Sequence, residues 1–459
     1  MKGYWRVVWQ NETVRVGAID PRKQTVELAQ PVAHGIGNKY HRPAGSGQEI
    51  YWVMNLLEEV DRPGEWAIDF EDQRLYFYPP SPLGQADILI SDMDQPVVRM
   101  DGARHVSLQG LTIAGSLSDG IRMTDCAHCS VRGCVVRNVA KYAVVVEGGS
   151  DNEVRSSDLY ALGAGGVKLS GGDSSTAPRT RANHRVINND IHHFGEIERV
   201  YAPGVNVGFD GGGGGSRKVD AVGMVVAHNA IHHCPHAGVL FNSFDNLFEY
   251  NEVFQFALVS NDMGAFYSYA HEGGIGFETF RYNFMHSSPE GEGIYYDNIT
   301  NHPILVGNIA CKLGPPTGKG RGYGFLVKNP TGQYVDIRNN IAVNCKVGYD
   351  IVLGAEYTLA SNISARNQRD TNHLPADQPG IHAYAADPGF RNLEGLDLSV
   401  KPQSGPFREI PGFERIPFEK IGLFRDEYRT IVPDYRAEMA KWRADQTTTS
   451  DYGVLDRQQ

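Results

Sequence analysis

Short apolar runs, broken by Gly and Asn, recur at a nearly regular interval between about residues 101 and 373. The first three runs begin about 23 residues apart: GLTIAGSLSDGIRM from Gly110, GCVVRNVAKYAVVVEGG from Gly133 and SDLYALGAGGVKLSGG from Ser157. Most later runs place an apolar residue just after an Asn: NNDIHHFG at Asn188, HNAIHHCPHAGVLF at His228, YNEVFQF at Tyr250, YNFMHSS at Tyr282, GNIACKLG at Gly307, NNIAVNC at Asn339 and SNISARN at Ser361. Larger steps between runs indicate coils that carry an extra loop.

A period near 22 residues predicts one coil of a parallel β-helix per repeat, because three short strands and three bends need about that many residues. Helical solenoid repeats are longer and show a 3.6-residue pattern, which is not what this region has. The recurring Asn is expected to stack on its equivalent in the next coil and to share amide hydrogen bonds with it. The predicted fold class is therefore all-β, a parallel β-helix solenoid, with a structural role for these asparagines.

The regions on either side of the repeats have different patterns. From Tyr4 to about Ser91, apolar and polar residues alternate, as in TVRVGAI and RLYFYPP, which is typical of antiparallel strands joined by hairpin turns. After His373 the chain is rich in Pro and charge. We expect residues 1–100 to form a β-rich N-terminal flanking or capping segment and residues 101–373 to form the β-helix. Residues 374–459 are expected to form an irregular tail that packs along the coils and covers their open end.

The composition and charge of the chain exclude some classes of partner. The formal net charge is -11 and no run of Lys and Arg occurs, so nucleic acid is not an expected partner. No stretch of about 18 apolar residues predicts a membrane span, and the first ten residues lack the apolar core of a signal peptide. The compartment stays open: the cytoplasm, or secretion with the signal already removed.

Cys126 and Cys129 resemble half of a zinc site, but no second Cys-x-x-Cys completes it. Buried thiols are expected, with no metal and no cofactor.

Two aspartates are candidates for catalysis. Asp262 follows Asn251 by about 11 residues and Asp297 follows Asn283 by about 14, so both are expected on the same side of consecutive coils, about 5 Å apart along the stack. Two carboxylates separated by about 5 to 10 Å can hydrolyse a glycosidic bond, one as general acid and the other as nucleophile or base. The alternative is that each Asp caps a turn of its own backbone.

The residues around these aspartates suggest a sugar-binding groove. Tyrosines beside the acids are candidate walls for sugar rings, with burial in a core as the alternative. A His after Cys-Pro is expected in a loop that reaches substrate, and the loop from Tyr201 is expected to form a groove edge. The candidate substrate-binding residues are His236, Tyr267, Tyr295, Tyr296, His271, Glu272, Asn242 and Tyr201.

Several of these motifs resemble glycoside hydrolase family 141 and its uncharacterised relatives. The resemblance rests on PGEWAIDFEDQRLYFYPP from Pro63 to Pro80, on HNAIHHCPHAGVLF, on NDMGAFYSY from Asn261, on GIYYDN from Gly293 and on IPFEKIGLFRDEYR. It implies a right-handed β-helix with α-L-fucosidase or xylanase activity on a plant or algal carbohydrate. It also implies that two aspartates perform catalysis, at the positions that match Asp262 and Asp297.

Three other functions remain open at this point. A polysaccharide lyase would abstract a proton beside a uronate with Lys, Arg or His, and a C5-epimerase would invert that carbon without shortening the polymer. A non-catalytic glycan-binding scaffold would need only exposed aromatic residues. The sequence does not determine the sugar, the linkage, exo or endo action, retention or inversion, or the oligomeric state.

Overall fold

The computed structural model describes residues 1–37, 50–85, 88–210, 217–270, 275–298, 302–315, 320–328, 334–374 and 378–441. The chain divides into two compact units, Met1–Ser91 and Asp92–Gln459. None of the helices in these described ranges is long and apolar enough to cross a membrane.

The first unit consists of short antiparallel strands, as the alternating pattern predicts. Trp5, Val14 and Val32 form a small apolar cluster in this unit. Its strands are Lys2–Tyr4, Glu12–Thr13 and Ile50–Trp52 in one sheet, the hairpin of Val16–Asp20 with Thr25–Leu28 and the hairpin of Trp66–Asp69 with Arg74–Phe77, and short 3-10 helices lie at Leu57–Glu59 and Leu83–Gln85.

The second unit is built from three long parallel sheets, which have 11, 10 and 11 strands within the described residues. Sheet A contains Val98–Asp101, Ile121–Thr124, Val144–Glu147, Val167–Ser170, Val205–Val207, Val239–Phe241, Gly264–Ala270, Glu292–Asn298, Tyr323–Val327, Val347–Ile351 and Arg369–Asn372. Sheet B contains Ser107–Gln109, Ser130–Arg132, Glu153–Arg155, Arg185–Ile187, Val225–Ala227, Leu247–Glu249, Thr279–Arg281, Ile304–Val306, Tyr334–Arg338 and Glu356–Ala360. Sheet C contains Thr112–Ser116, Val135–Val139, Asp158–Leu162, Asp190–Phe194, Ala230–His232, Glu252–Phe254, Phe284–Ser288, Ile309–Leu313, Ile341–Val343, Asn362–Ala365 and Ile381–Tyr384.

Each coil passes through sheets B, C and A in turn and pairs in parallel with the coils before and after it. This arrangement confirms the predicted all-β parallel β-helix. The interior is one continuous apolar cluster that includes Val131, Ile191, Phe248 and Ile337. All six cysteines are free and buried, as expected for thiols that serve as small apolar residues.

The Asn of each later repeat forms a ladder inside the coils. From Asn189 to Asn340, the backbone N–H and the Nδ2 of each ladder Asn donate to Oδ1 of the Asn in the next coil, at 2.8 to 3.1 Å, and the ladder ends at Asn362. These side chains are fully buried, so the shared bonds satisfy polar groups that would otherwise be costly. The predicted structural role of the asparagines is confirmed.

The residue before each ladder Asn turns the chain. It has a positive φ, for example 56° at His228, 54° at Tyr250 and 59° at Asn339. Asn adopts this left-handed conformation more readily than most residues, which explains the doubled Asn in two of the repeats. Asn339 also exchanges two hydrogen bonds with the backbone of Glu414, at 2.9 and 3.0 Å. The corner therefore both turns the coil and holds a later part of the chain.

The chain after the last coil lies along the outside of sheet C. Apolar side chains including Phe413, Phe418 and Ile421 pack on Phe284 and Ile309 of that sheet. This segment contains the strands Phe390–Asn392 and Asp397–Val400, the helices Gly405–Glu409 and Tyr435–Met439, and a 3-10 helix at Phe418–Lys420. One outer surface of the β-helix is thus covered by the chain itself.

Candidate active site

The outward surface of sheet A carries the candidate site. Side chains alternate along a strand, so Phe266 and Ile294 point into the coil, whereas Tyr267 and Tyr295 point out. Tyr267 and Tyr295 are register partners in neighbouring coils, and their rings meet edge to face at 5.0 Å between centroids. Near the start of the strand Glu292–Asn298, a side chain on Gly293 would collide with the backbone oxygen of Gly324, so the coils stack closely only with a small residue there.

Asp262 lies at the start of this surface, two residues before the strand Gly264–Ala270. Its φ of 65° is the left-handed conformation that Asp tolerates better than most residues. The Oδ1 atom accepts a hydrogen bond from the Tyr295 hydroxyl at 3.3 Å and lies 3.1 Å from Nη2 of Arg321. Its side chain is 24% exposed, so the carboxylate is accessible to a ligand.

Asp297 lies near the other end of the neighbouring strand, Glu292–Asn298. The Tyr267 hydroxyl donates to its Oδ2 at 3.1 Å, and Nζ of Lys328 donates to its Oδ1 at 3.2 Å. Both oxygens therefore act as acceptors. The side chain is 16% exposed and that of Lys328 is 38% exposed.

The two aspartates belong to one hydrogen-bonded network. Lys328 also donates to the Tyr295 hydroxyl, so a chain of contacts runs from Asp262 through Tyr295 and Lys328 to Asp297. None of these contacts exceeds 3.3 Å. The linked carboxylate oxygens are therefore no farther apart than about 10 Å, close to the range of about 5 to 9.5 Å that separates the carboxyl groups of glycosidases.

A third acid, Glu292, lies directly beneath this network. Its side chain is fully buried, and Oε1 accepts a hydrogen bond from Nε of Arg321, the same guanidinium that contacts Asp262. Burial raises the pKa of Glu292 to about 8; Arg321 opposes the shift and Asp262 adds to it. A site that combines a buried acid, two partly exposed acids and shared cations is typical of functional surfaces.

The family of the chain follows from its sequence. Residues 96–185 and 119–386 match the family described as "Right handed beta helix region", which covers more than half of the chain. This chain belongs to the right-handed β-helix family.

Other comparisons add little beyond the fold. One similar solved structure bears the name "Glycoside hydrolase", with 13% sequence identity and a TM-score of 0.45. The alignment covers 82% of this chain and 61% of that one, so this β-helix spans about three fifths of the other protein's length. No curated protein sequence matches the chain.

Tyr296, which was expected to line the groove, lies in the core of the β-helix. Tyr296 follows Tyr295 in sequence and therefore points inward, where it packs against Phe241 and Phe280 and is 1% exposed. The prediction that Tyr296 contacts substrate is wrong. The alternation in Gly-Ile-Tyr-Tyr-Asp, with Ile294 in the core, already indicated this orientation.

His236 is not free in a loop, contrary to the expectation. It is 1% exposed, and its Nδ1 accepts a hydrogen bond from the backbone N–H of Tyr201 at 3.1 Å. Burial lowers the pKa of His236 to about 3, so the ring is neutral. Its ring also meets the Tyr201 ring edge to face. We interpret His236 as a support for the Tyr201 loop and not as a direct ligand for sugar.

The remaining candidates differ in position. Tyr267 and Tyr295 are on the outward surface but covered, since Arg321 and Lys328 lie over the Tyr295 ring at 5.6 and 4.7 Å. Asn242 is buried and lies at the end of Val239–Phe241 in the coil before Tyr267. His271 and Glu272 lie outside the described residues.

Sequence reasoning missed five members of the site. Glu292 opens the strand that holds Asp297, and Arg321 and Lys328 flank the next strand, Tyr323–Val327. Tyr269 and Tyr323 are half-buried aromatic residues beside the covered tyrosines. Only Tyr269 had a visible signal, because it is two residues after Tyr267 and therefore on the same side of the strand. In the described ranges, no group of three or more His, Cys, Asp or Glu side chains is arranged to hold a metal ion.

Proposed function

We propose that this β-helix protein acts on a carbohydrate and hydrolyses a glycosidic bond in a plant or algal polysaccharide or oligosaccharide, in the manner of an α-L-fucosidase or a xylanase. One observation carries the proposal: Asp262 and Asp297 are partly exposed on one surface and joined through Tyr295 and Lys328. The contacts limit the linked carboxylate oxygens to a separation of about 10 Å or less, near the range of about 5 to 9.5 Å for glycosidases.

The surroundings support these roles for the aspartates. A general acid or base must reach the glycosidic oxygen or the water, and both carboxylates are accessible to solvent. A positive transition state is stabilised by nearby carboxylates, whereas Arg321 and Lys328 hold those carboxylates in place. Half-buried Tyr269 and Tyr323 offer ring surface on which a sugar can stack.

The test compares hydrolysis of aryl fucosides, aryl xylosides, aryl galactosides and common polysaccharides by the wild type, Asp262→Asn and Asp297→Asn. Each variant is expected to lose about 10² to 10⁴-fold in kcat, the usual contribution of a general acid or base. Asp336→Asn is the matched control, because Asp336 pairs with Arg338 on sheet B, away from this surface. Undiminished turnover in either active-site variant excludes that residue from the mechanism.

A lyase is the second candidate, because two partly exposed cations, Arg321 and Lys328, lie beside the acids. A uronate carboxylate would need such charges to be neutralised before a proton leaves the adjacent carbon. The same assay distinguishes the two reactions, since elimination produces an unsaturated sugar that absorbs in the near ultraviolet and hydrolysis does not. Glycan binding without turnover in the wild type would instead support a non-catalytic scaffold.

A further inference from the structure

Glu292 has no direct access to a substrate, yet it is linked to the exposed aspartate. The side chain is fully buried, and its backbone N–H donates to the carbonyl of Met263, next to Asp262, at 3.0 Å. Oε1 accepts from Nε of Arg321, while Nη2 of Arg321 lies 3.1 Å from Asp262. One guanidinium thus connects a buried carboxyl group to an exposed one.

The environment of Glu292 disfavours its charge. Among the described residues, Oε2 is buried without a hydrogen-bond partner, which is costly for an ionised carboxylate. Burial and the charge of Asp262 raise the pKa of Glu292, Arg321 and Lys328 lower it, and the net pKa is about 8. The charged and titratable groups that face Glu292 are Arg321, Asp262, Lys328, Tyr295 and Tyr323. At neutral pH Glu292 is mostly protonated and neutral, so the positive charge of Arg321 interacts mainly with Asp262.

We propose that Glu292 is a positioning residue that acts on Asp262 through Arg321, and that the ionisation of Glu292 sets the alkaline limit of activity. When Glu292 loses its proton, Arg321 must balance two carboxylates instead of one. Asp262 then loses part of its electrostatic support and its fixed orientation. This inference rests on the proposed catalytic role of Asp262.

The proposal makes a prediction for stability that needs no substrate. Because the pKa of Glu292 is higher in the folded protein than its ordinary value of 4.5, the folded state binds more protons between about pH 4.5 and 8. The contribution of Glu292 is therefore most favourable below pH 4.5 and is lost as the pH rises through about 8. Glu292→Gln, which cannot ionise, should remove this loss.

The kinetic experiment measures kcat and KM from pH 5 to 10 for the wild type, Glu292→Gln and Glu292→Ala. The amide oxygen of Gln can still accept from Arg321, so Glu292→Gln should keep kcat within about threefold at pH 6. The alkaline limit of this variant should move up by at least about one pH unit, because the carboxyl group whose ionisation sets the limit has been removed. Glu292→Ala should lower kcat at least about tenfold with little change in KM, because Arg321 loses its anchor. An unchanged alkaline limit in Glu292→Gln overturns the proposal.

Glu278→Gln is the matched control. Glu278 is also fully buried, and burial raises its pKa, but it precedes a strand of sheet B and is not part of the network around Asp262. Its replacement should change the pH dependence of stability in the same direction as Glu292→Gln without moving the alkaline limit of activity. If the alkaline limit of activity also shifts in Glu278→Gln, the shift in Glu292→Gln reflects a general loosening of the coil, and the specific role of Glu292 is overturned.

A second measurement keeps this inference separate from the proposed hydrolase. Thermal midpoints from pH 4 to 9 are compared for the wild type, Glu292→Gln, Asp262→Asn and the double variant. Without the Asp262 charge, the pKa of Glu292 in the folded protein should fall, so the pH-dependent stability loss of Asp262→Asn should end at a lower pH and be smaller than that of the wild type. Additive effects would overturn the link through Arg321. Coupling without turnover on any substrate would support the link and count against the hydrolase.

Discussion

Two outer surfaces of the β-helix carry buried acids beside aromatic residues, but only one of them is open. On sheet C, Asp190 accepts from the hydroxyl of Tyr435 at 2.6 Å, and Arg436 donates to both oxygens of Glu252 at 2.9 and 3.1 Å. Tyr435 and Arg436 belong to the segment that covers that sheet. On sheet A, Asp262 and Asp297 are held by residues of the coils themselves and remain partly exposed, while Glu292 is buried beneath them.

The contrast is sharpest between two buried glutamates in adjacent coils. Burial alone would raise the pKa of both, but Arg436 and His286 outweigh it at Glu252 and lower its pKa to about 2. Glu292 shares its single guanidinium with Asp262, and its pKa rises to about 8. A dedicated partner makes an acid part of the structure, whereas a shared partner leaves it poised to change its charge at neutral pH.

The largest expected effect is a loss of activity when an acid on sheet A, but not one on sheet C, is replaced. Asp297→Asn should lower kcat by about 10³-fold, the middle of the range for a general acid or base. Asp190→Asn on sheet C should leave kcat within about twofold and lower stability instead, because it weakens contacts with His232 and Tyr435. Steady-state kinetics and urea unfolding of both variants provide the measurement. Similar kcat losses in both would mean that the two surfaces do not differ in function.

Replacing the arginine on each surface should affect stability on sheet C and activity on sheet A. Arg436→Met leaves the charge of Glu252 buried beside His286 without its guanidinium partner, and should lower the free energy of unfolding by about 3 to 5 kcal/mol. Arg321→Met should cost about 1 kcal/mol or less, since its partner Glu292 is readily protonated, while activity falls at least tenfold. Chemical denaturation at pH 6 tests both values. Equal destabilisation by the two variants would contradict the distinction between dedicated and shared cations.

The two glutamates should respond to pH in opposite directions. The pKa of Glu252 is lowered from 4.5 to about 2, so its contribution is present above pH 4.5 and is lost as the pH falls towards 2. Glu252→Gln should therefore remove up to about 3 kcal/mol of acid-dependent destabilisation, given about 1.4 kcal/mol per pKa unit. Urea midpoints between pH 6 and 3 measure this effect. A wild type and a Glu252→Gln variant with parallel acid profiles would exclude it.

The smallest effects come from two matched hydroxyl groups. Tyr435→Phe removes a bond to Asp190 and should cost about 1 to 2 kcal/mol of stability without affecting kcat. Tyr267→Phe removes a bond to Asp297 and should lower kcat about tenfold with less than about 1 kcal/mol of destabilisation. Kinetics and thermal unfolding of the pair give the comparison. A stability loss from Tyr267→Phe as large as that from Tyr435→Phe would make Tyr267 structural.

Sequence reasoning found the two aspartates of the site and missed its cations, which come from the next coil. Asp297 was found by its spacing after Asn283, and Tyr295 because it stands close to Asp297 in sequence. The alternation of that strand would also have assigned Tyr296 to the core. His236 looked accessible because Pro precedes it, but loop position says nothing about what packs over a residue. Arg321 and Lys328 carry no local signal, because their partners lie about 30 residues away along the chain.

The amino-acid sequence alone determined the repeating coil, since the spacing of Asn and apolar runs sets one turn of strands and a buried ladder whatever else the chain does. It also determined which strand residues share a side, because alternation is a local property of extended backbone. Only the tertiary structure decided the charge balance of the site. Loops of unequal length separate the coils, so the residues that meet across them, and hence the shared Arg321 between Asp262 and Glu292, follow from stacking and not from counting.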